Sequence, residues 1–228
     1  MEQENIIDLE KYLTKTEFLD YNHADVQTFT IKAIGGITNE IEKAIALYLA
    51  VRDGFRYDPY NLDLRPEALK ASHLLGRNYG YCIEKAVLLA ACARFAGIPS
   101  RLGFANVRNH IATEKLEERL KSNILVFHGY TELFLEGKWV KATPAFNKEL
   151  CARLNVAPLE FDGKEDSVFQ QYTSDGGQHM EYLHDYGLFD DMPYELFISS
   201  LIQYYPHLFE DKELLKESGL ADIIEKLS

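Results

Sequence analysis

One stretch of the chain decides the fold: residues 79–101, which read YGYCIEKAVLLAACARFAGIPSR. Between residues 83 and 96 only three side chains carry a charge. A segment that is apolar on every side is typical of a helix buried in the middle of a protein. Gly80 precedes this segment, and Gly97-Ile98-Pro99 is a stop signal, because Gly permits a left-handed C-cap and Pro cannot continue a helix. The sequence therefore predicts a buried helix that begins near Cys82.

The position of Cys82 at the start of the predicted helix affects the expected reactivity of its thiol. A thiol in the first turn faces the positive end of the helix macrodipole, which favours the thiolate. An unperturbed cysteine titrates near pH ~8.5, so only a few per cent is thiolate at neutral pH. We therefore expect the pKa of Cys82 to be lowered and the thiol to be nucleophilic.

Length and composition set the class of protein. The chain has 228 residues, 46% of them hydrophobic, which is enough for one large domain. Charges interrupt its apolar segments before they reach the length of a bilayer span. The start, MEQENIIDLEKYL, is acidic and lacks the basic and apolar regions of a signal peptide. We expect a cytoplasmic protein without a membrane segment.

Charge and cysteine content exclude other classes. A net charge of −12 argues against nucleic acid as a partner, because phosphate binding needs a basic surface. The three cysteines, Cys82, Cys92 and Cys151, are odd in number and sparse, so no disulfide framework is predicted. Cys92 lies inside the predicted buried helix, and we interpret it and Cys151 as structural.

Helical patterns dominate residues 1 to about 54. The clearest lies between Asn39, a candidate N-cap, and Gly54, a candidate stop, with apolar side chains at helical spacing. Three further elements are predicted: a short helix at 67–75, a strand at 100–109 and a charged, exposed helix at 113–122.

Residues 123–143 are predicted to form a β-hairpin with Glu136-Gly137 as a two-residue turn. Two cross-strand pairs in this register are favourable, one aromatic and one of opposite charge: Phe134 with Trp139, and Glu132 with Lys141. The same register places Thr143 opposite Tyr130, so that Thr143 lies diagonal to His128 at roughly 7–8 Å. Because side chains alternate along a strand, one face is expected to carry Ile124, Val126, His128, Tyr130, Glu132 and Phe134.

The pattern weakens from Asn147 onward. Turn residues are frequent up to about residue 187, and residues 193–227 are typical of two helices. His179, Glu181, His184 and Asp185 mix ligand types but lack the spacing of a zinc motif, so we favour a solvated acidic loop over a metal site. We predict one domain over residues 1–228 and no separate domain after residue 150.

Cys82 at a helix start and His128 within a strand are the parts of a Cys–His nucleophile. The base removes the thiol proton, the thiolate attacks a carbonyl, and an acyl-thioester passes to water or to an amine. A third group usually orients the imidazole. Backbone N–H groups at the start of the helix would form an oxyanion hole, and Tyr81 and Tyr79 are candidate side-chain donors.

The chain resembles the transglutaminase-like superfamily over roughly residues 40–145. Gly80-Tyr81-Cys82 and Gly97-Ile98-Pro99-Ser100-Arg101 are similar to that family's G-x-C, apolar helix and G-I-P-A-R ending. His128-Gly129-Tyr130-Thr131-Glu132, followed by Trp139-Val140-Lys141-Ala142-Thr143-Pro144, is similar to its H-x-W-x-E and W-V-x-x-D-P blocks. The upstream VRDGFRYD, residues 51–58, is also similar.

The resemblance implies an α+β fold with a papain-like transglutaminase core: a buried Cys-bearing helix packed on an antiparallel sheet. Helical N- and C-terminal extensions, the latter over about 150–228, would flank a core at about 40–145. The resemblance implies Cys82 as nucleophile, His128 as base, and a peptide or protein substrate. No cofactor is implied, and no EF-hand-type loop indicates calcium.

Two positions depart from the family pattern. Thr143 stands where the family has Asp, and Tyr130 stands where it has Trp, as a candidate oxyanion or substrate residue. Thr143 can accept a hydrogen bond from the imidazole but supplies no charge. Losing a charged orienter costs a serine-type triad about 10⁴-fold in rate, and a thiol should lose less. Asn147, Asp162 and Asp166 are alternative orienters.

Two functions of different class remain open. The first is a thiol enzyme: a cysteine peptidase or amidase, or a transamidase, with hydrolysis favoured because water always competes. The second is a catalytically weakened or inactive domain that binds peptides or proteins, and the missing Asp motivates it. An activated Cys82 would alkylate well below pH ~8.5 and lose that reactivity in His128→Ala.

Overall fold

The computed structural model describes residues 8–110, 114–168 and 180–210, together with residues 215, 220 and 221. The α-helices are α1 (Ala24–Ile34), α2 (Glu40–Gly54), α3 (Ala71–Leu74), α4 (Cys82–Phe95), α5 (Glu114–Leu120), α6 (Lys148–Arg153) and α7 (Tyr194–Tyr204). The strands are β1 (Arg56–Tyr57), β2 (Tyr79–Gly80), β3 (Ser100–Asn109), β4 (Ile124–Leu135), β5 (Lys138–Ala142) and β6 (Met180–Phe189). Short 3₁₀ turns lie at Glu10–Leu13, Pro66–Leu69 and Pro206–Phe209.

The predicted buried helix is confirmed as α4, which begins at Cys82. It packs against α1, α2 and α3 on one side and against β3 and β4 on the other, which explains why its sequence has no polar face. The Glu84 carboxylate accepts the backbone N–H of Tyr81 at 3.0 Å and so satisfies a donor at the helix start. At the other end Gly97 has a φ of +83°, the left-handed conformation that glycine adopts without strain.

The helices predicted on either side of α4 are found with small differences. Asn39 Oδ1 accepts the Glu42 N–H at 3.0 Å, as expected of an N-cap. The single helix predicted at 67–75 is divided into a 3₁₀ turn and α3, because Lys70 between them is extended, with ψ 146°. The charged helix begins at Glu114, and its predicted first residue, Thr113, lies outside the described residues.

A four-stranded antiparallel sheet in the order β5-β4-β3-β6 forms the other layer. The predicted hairpin is β4–β5, and its register is confirmed by the pairs Phe134–Trp139 and Glu132–Lys141. Glu136 and Gly137, at φ 49° and 85°, form the two-residue turn, since left-handed residues at both positions match the twist of a hairpin.

The single face predicted for all even residues of β4 is wrong in its first part. Ala105 pairs with His128 but Val107 pairs with Leu125, so β4 has one extra residue at this point. Phe127 there has a φ of +61°, and its N–H is bound by Asn106 Oδ1 at 3.0 Å. This bulge breaks the alternation, because an extra residue shifts the faces of a strand. Alternation holds from His128 onward.

Two details at the end of the hairpin also differ from expectation. β5 ends at Ala142, and the Thr143 N–H donates to Ser167 O at 3.0 Å, so the structure shows no Thr143–Tyr130 strand pair. Glu132 forms its ion pair with Arg101 of β3 at 2.6 Å, whereas Lys141 lies over the Tyr130 ring at 5.2 Å. Arg competes better for the carboxylate because its guanidinium matches a carboxylate in shape and number of donors.

β6 is the longest of the elements that the sequence pattern missed, and β1, β2 and α6 were not predicted either. β6 pairs antiparallel with β3, but the register shifts twice along it, so its side chains show no regular alternation. Glu181, His184 and Asp185 therefore belong to a strand, not to the predicted loop, and His179 lies outside the described residues. The C-terminal part thus supplies a strand as well as helices. No group of three potential metal ligands occurs in the described ranges.

The described part of the chain has no helix with the length and apolar character needed to cross a membrane. α7 confirms the first of the two helices predicted for residues 193–227, and the second falls mainly outside the described residues. The assignment of residues 1–228 to one domain stays a prediction.

Candidate active site

The two short parallel strands, β1 and β2, place Tyr57 beside the start of α4. Tyr57 of β1 pairs with Gly80 of β2, and the Asp58 N–H donates to Gly80 O at 2.9 Å. Because Gly80 is two residues before Cys82, this pairing holds the residues after α2 beside the thiol. The backbone of Tyr57 is held from its other side, where Asn147 Oδ1 accepts its N–H at 2.9 Å.

The Cys82 sulfur is buried and surrounded by hydrogen-bond donors. The N–H groups of Gly129, Ile83 and Cys82 and the hydroxyl of Tyr57 lie close enough to it to favour the thiolate. Each of these contacts lowers the pKa of the thiol, but desolvation is larger and raises that pKa to about 11. The prediction that the helix start lowers the pKa of Cys82 is therefore wrong, because Cys82 is only 6% exposed and its desolvation dominates.

A small apolar cavity of about 50 Å³ lies against the thiol. Its walls are Tyr57, Pro59, Leu62, Tyr81, Cys82, Leu116, Leu120, Leu125, Val126, Phe197, Leu201 and Tyr205. α5 and α7 supply the outer wall. The Tyr205 hydroxyl donates to Ile124 O at 2.5 Å and accepts the Val126 N–H at 3.0 Å, which ties the end of α7 to the bulged part of β4. The C-terminal part of the chain thus covers the thiol.

His128 lies on β4 next to the residue that contacts the sulfur. Gly129 faces the first turn of α4, since a Cβ there would lie 3.0 Å from Ile83 Cα, and Thr131 Oγ1 donates to Ala86 O at 2.9 Å. By strand alternation the buried His128 side chain shares the opposite face, with Tyr130 and Glu132. The predicted sulfur–imidazole hydrogen bond stays a prediction.

Thr143, the first candidate orienter, is buried beside the end of β5. Its backbone is engaged, with the carbonyl accepting from Tyr48 Oη at 3.2 Å. Within the described part of the chain its hydroxyl oxygen has no hydrogen-bond partner. A buried hydroxyl without a hydrogen-bond partner is unusual, because leaving such a group unpaired costs free energy. The Thr143 hydroxyl can therefore still form a hydrogen bond with another group.

The alternative orienters are occupied elsewhere. The Asn147 amide binds the Tyr57 N–H and donates to Glu149 Oε2 at 2.6 Å. Asp162 is exposed and accepts the N–H groups of the next turn from Lys164 and Glu165. Asp166 accepts the Lys141 N–H at 2.9 Å. These contacts give structural roles to all three side chains, and they do not support a role in orienting the imidazole.

The predicted tyrosines have different surroundings. Tyr81 lines the thiol cavity, and its buried hydroxyl has no partner among the described residues. Tyr79 is half-buried beside the guanidinium groups of Arg56 and Arg77, at 6.0 and 5.1 Å from its ring. Tyr130 is buried over Gly103, where an added Cβ would lie 2.1 Å from Tyr130 Cζ. Of the three, Tyr81 is the one placed at the cavity.

Sequence reasoning missed Tyr57, whose hydroxyl lies near the sulfur. Tyr57 belongs to the VRDGFRYD block, whose similarity to the family is the signal that points to it. Cys92 and Cys151 are buried and free, as expected of structural cysteines. Lys85 was also missed: it is completely buried and donates to the carbonyls of Arg52, Phe55 and Ala145 at 2.7–2.9 Å.

A family model described as the transglutaminase-like superfamily matches residues 27–144, just over half of the chain. The curated proteins include no significant match. A solved structure from Cytophaga hutchinsonii, described as a "putative cysteine protease", is 18% identical with a TM-score of 0.47, and the match covers 60% of this chain and 42% of that one. A "putative protease" from Parabacteroides distasonis is 20% identical with a TM-score of 0.39, covering 59% and 25%. The chain therefore spans less than half the length of either protein.

Proposed function

We propose that this chain, which belongs to the transglutaminase-like superfamily, is a thiol enzyme acting on amide bonds of peptides or proteins through an acyl-thioester on Cys82. The observation that carries the proposal is the position of Cys82 at the first residue of α4, with the N–H groups of Cys82, Ile83 and Gly129 and the Tyr57 hydroxyl near its sulfur. Donors fixed in place before the reaction stabilise negative charge at no further cost of reorganisation. That charge lies first on the thiolate and then on the carbonyl oxygen that it attacks.

The proposed reaction uses His128 as the base. The imidazole takes the thiol proton, and the thiolate adds to the substrate carbonyl to form a carbon–sulfur bond. The resulting oxyanion accepts hydrogen bonds from the Cys82 N–H and the Tyr57 hydroxyl. The imidazolium returns the proton to the amine as the carbon–nitrogen bond breaks, which leaves the acyl-thioester. Water or a second amine then releases the acyl group, so hydrolysis and transamidation share this intermediate.

The structure represents a closed resting state in this proposal. The thiol is 6% exposed and its pKa is raised to about 11, so the nucleophile is protonated and covered at neutral pH. Substrate entry requires α7 to move away from β4. Access of water and of the imidazole would then remove the desolvation that raises the pKa.

The proposal is tested with denatured casein as substrate. New primary amines report hydrolysis, and incorporation of monodansylcadaverine reports transamidation. We expect the wild-type chain and the control Cys151→Ala to act on casein, and Cys82→Ala and His128→Ala to lose more than 100-fold of the rate. If neither product forms and no acyl adduct on Cys82 is found by mass spectrometry, the enzymatic proposal is wrong.

A binding module without catalysis is the second candidate, and one observation favours it. The third position of the family motif is Thr143, which carries no charge. Alkylation of Cys82 across pH, compared between wild type and His128→Ala, decides between the candidates. Identical profiles with ordinary thiol behaviour would favour the module. Thr143→Asp, which restores the family's carboxylate, should raise the rate on casein if the chain is a weakened enzyme.

A further inference from the structure

A second cavity lies beside the thiol cavity and is larger, at about 230 Å³. Its lining is Arg56, Tyr57, Asp58, Pro59, Tyr60, Asn109, Leu116, Phe146, Leu150, Arg153 and Leu154. Three of these, Tyr57, Pro59 and Leu116, also line the thiol cavity. The two cavities therefore meet at Tyr57, whose hydroxyl lies near the sulfur. We call the larger one the arginine pocket.

The charge of the arginine pocket is opposite to that of the whole chain. Arg56 and Arg153 contribute two positive charges and Asp58 one negative charge. Lys115 lies over the Tyr60 ring at 4.7 Å and adds a third positive charge at the rim. The pocket is thus cationic in a chain whose net charge is −12, and a local excess of one sign in a concave site concentrates ligands of the other sign.

The single carboxylate does not neutralise the pocket. Asp58 Oδ2 binds Arg56 at 3.1 Å and the Asn61 amide at 2.9 Å, and these contacts together with the Tyr60 N–H keep its pKa lowered. Arg153 Nε donates to a backbone carbonyl, that of Glu149, at 3.3 Å. In the described ranges Arg153 forms no ion pair. Its charge therefore remains available to an incoming anion.

The apolar walls of the arginine pocket can accommodate the aliphatic part of an amino-acid residue. The Tyr57 and Phe146 rings meet edge to face, with centroids 4.7 Å apart, and Leu150 and Leu154 of the α6 region complete an apolar side. Apolar walls with a few placed polar groups are the usual character of a small-ligand site. An aliphatic stem can pack on these rings while a carboxylate at its end reaches an arginine, which binds carboxylates in a planar, two-point fashion.

We propose that the arginine pocket is a substrate subsite that takes a carboxylate-bearing residue of the peptide next to the bond attacked by Cys82. This inference rests on the proposed function and names the substrate class for it. An acidic side chain and a C-terminal carboxylate offer the same chemistry, and both fit the pocket.

The first test measures the charge felt at Cys82 and needs no catalysis. Iodoacetate and iodoacetamide alkylate thiols alike but differ in charge, so the ratio of their rates at Cys82 reports the local potential. We expect this ratio to be about fivefold higher in the native chain than in the urea-denatured chain, and to shrink as salt is added. Arg153→Gln and Arg56→Gln should lower the ratio, whereas Arg65→Gln, an exposed arginine outside both cavities, should leave it unchanged.

A native ratio equal to the denatured ratio, or one that Arg153→Gln leaves unchanged, overturns the subsite. A raised ratio in a chain that forms neither product on casein and no acyl adduct on Cys82 supports an anion-binding arginine pocket and overturns only the enzymatic proposal, so the two failures are distinguishable. In an active chain, the two sources of the carboxylate are separated by peptides. A preference for Glu over Gln in peptides with amidated ends identifies a side-chain carboxylate. A preference for free over amidated ends identifies a terminal one, and no preference in either pair contradicts the subsite.

Discussion

Tyr57 and Cys82 line the same small cavity, and the Tyr57 hydroxyl lies close enough to the sulfur to act on the pKa of the thiol. This contact lowers the pKa of the thiol, while burial raises it to about 11. Burial also raises the pKa of Tyr57 well above its usual value, and the neighbouring thiol adds to that shift. The proposed nucleophile therefore has a phenol beside it as well as a helix terminus.

Removing that hydroxyl should make the thiol less acidic. A hydrogen bond to a charged group contributes roughly 1.5–3 kcal/mol, which corresponds to about 10- to 100-fold in an equilibrium. We predict that Tyr57→Phe shifts the pH profile of Cys82 alkylation by iodoacetamide upward by about one unit or more. Tyr79→Phe, a change of the same kind on the neighbouring strand, is the control and should leave the profile in place. An unshifted profile in Tyr57→Phe would show that the hydroxyl does not act on the thiolate.

Loosening α7 should expose the thiol. The Tyr205 hydroxyl makes two hydrogen bonds to β4, and Tyr205→Phe removes both. With roughly 1 kcal/mol for each bond, we predict that Cys82 is alkylated about 5- to 30-fold faster at a fixed pH. Tyr204→Phe changes an exposed neighbour, 40% accessible, and should have no effect. Equal rates in the two variants would contradict a covering role for α7.

Lys85 should be a large contributor to stability. Its ammonium supplies donors to three carbonyls, at Arg52, Phe55 and Ala145, and so joins α2 and the residues after β5 to α4. Lys85→Met leaves these buried acceptors without their donor, and each unsatisfied group costs about 1–3 kcal/mol. We predict a loss of about 3 kcal/mol or more in the free energy of unfolding by urea. Lys138→Met, at an exposed strand position, should cost less than ~0.5 kcal/mol.

The contribution of Lys85 should also depend on pH. Burial lowers the pKa of Lys85 from 10.5 to about 7 in the folded chain. Between pH 7 and pH 10.5, Lys85 is protonated in the unfolded chain and mostly neutral in the folded chain. The contribution of Lys85 to the free energy of unfolding therefore rises with pH in this range. The difference in unfolding free energy between wild type and Lys85→Met should therefore widen from pH 7 toward pH 10. The cysteines and tyrosines titrate in both chains, so their contributions cancel in this difference. A difference that stays constant with pH would show that the pKa of Lys85 is not lowered.

Gly103 should tolerate no side chain. A Cβ at this position would lie 2.1 Å from Tyr130 Cζ, and the Tyr130 ring is buried. We predict that Gly103→Ala lowers the free energy of unfolding by about 1–3 kcal/mol. Gly36→Ala is the matched control, since no atom lies within 4 Å of its added Cβ. Similar melting temperatures for the two variants would contradict the packing of Tyr130 on β3.

Local patterns predicted the elements that bear the proposed nucleophile and base. The charge-poor run after Cys82 predicted α4 and its first residue, because a helix enclosed by other elements needs no polar face. The hairpin register followed from its turn and its cross-strand pairs. The bulge at Phe127 and the irregular β6 were not predicted, because both depend on how β3 accommodates its two neighbours.

Local patterns were enough to predict that a cysteine begins a buried helix and that a histidine lies on a strand of the sheet, since period and turn chemistry act between residues close in the chain. The surroundings of the thiol follow from the folded arrangement alone: the Tyr57 hydroxyl, the α7 cover and the cationic pocket beside it. That arrangement also decides the direction of the shift in the thiol's pKa. Desolvation depends on everything packed around a group, and those groups come from residues up to 123 positions away, as Tyr205 shows.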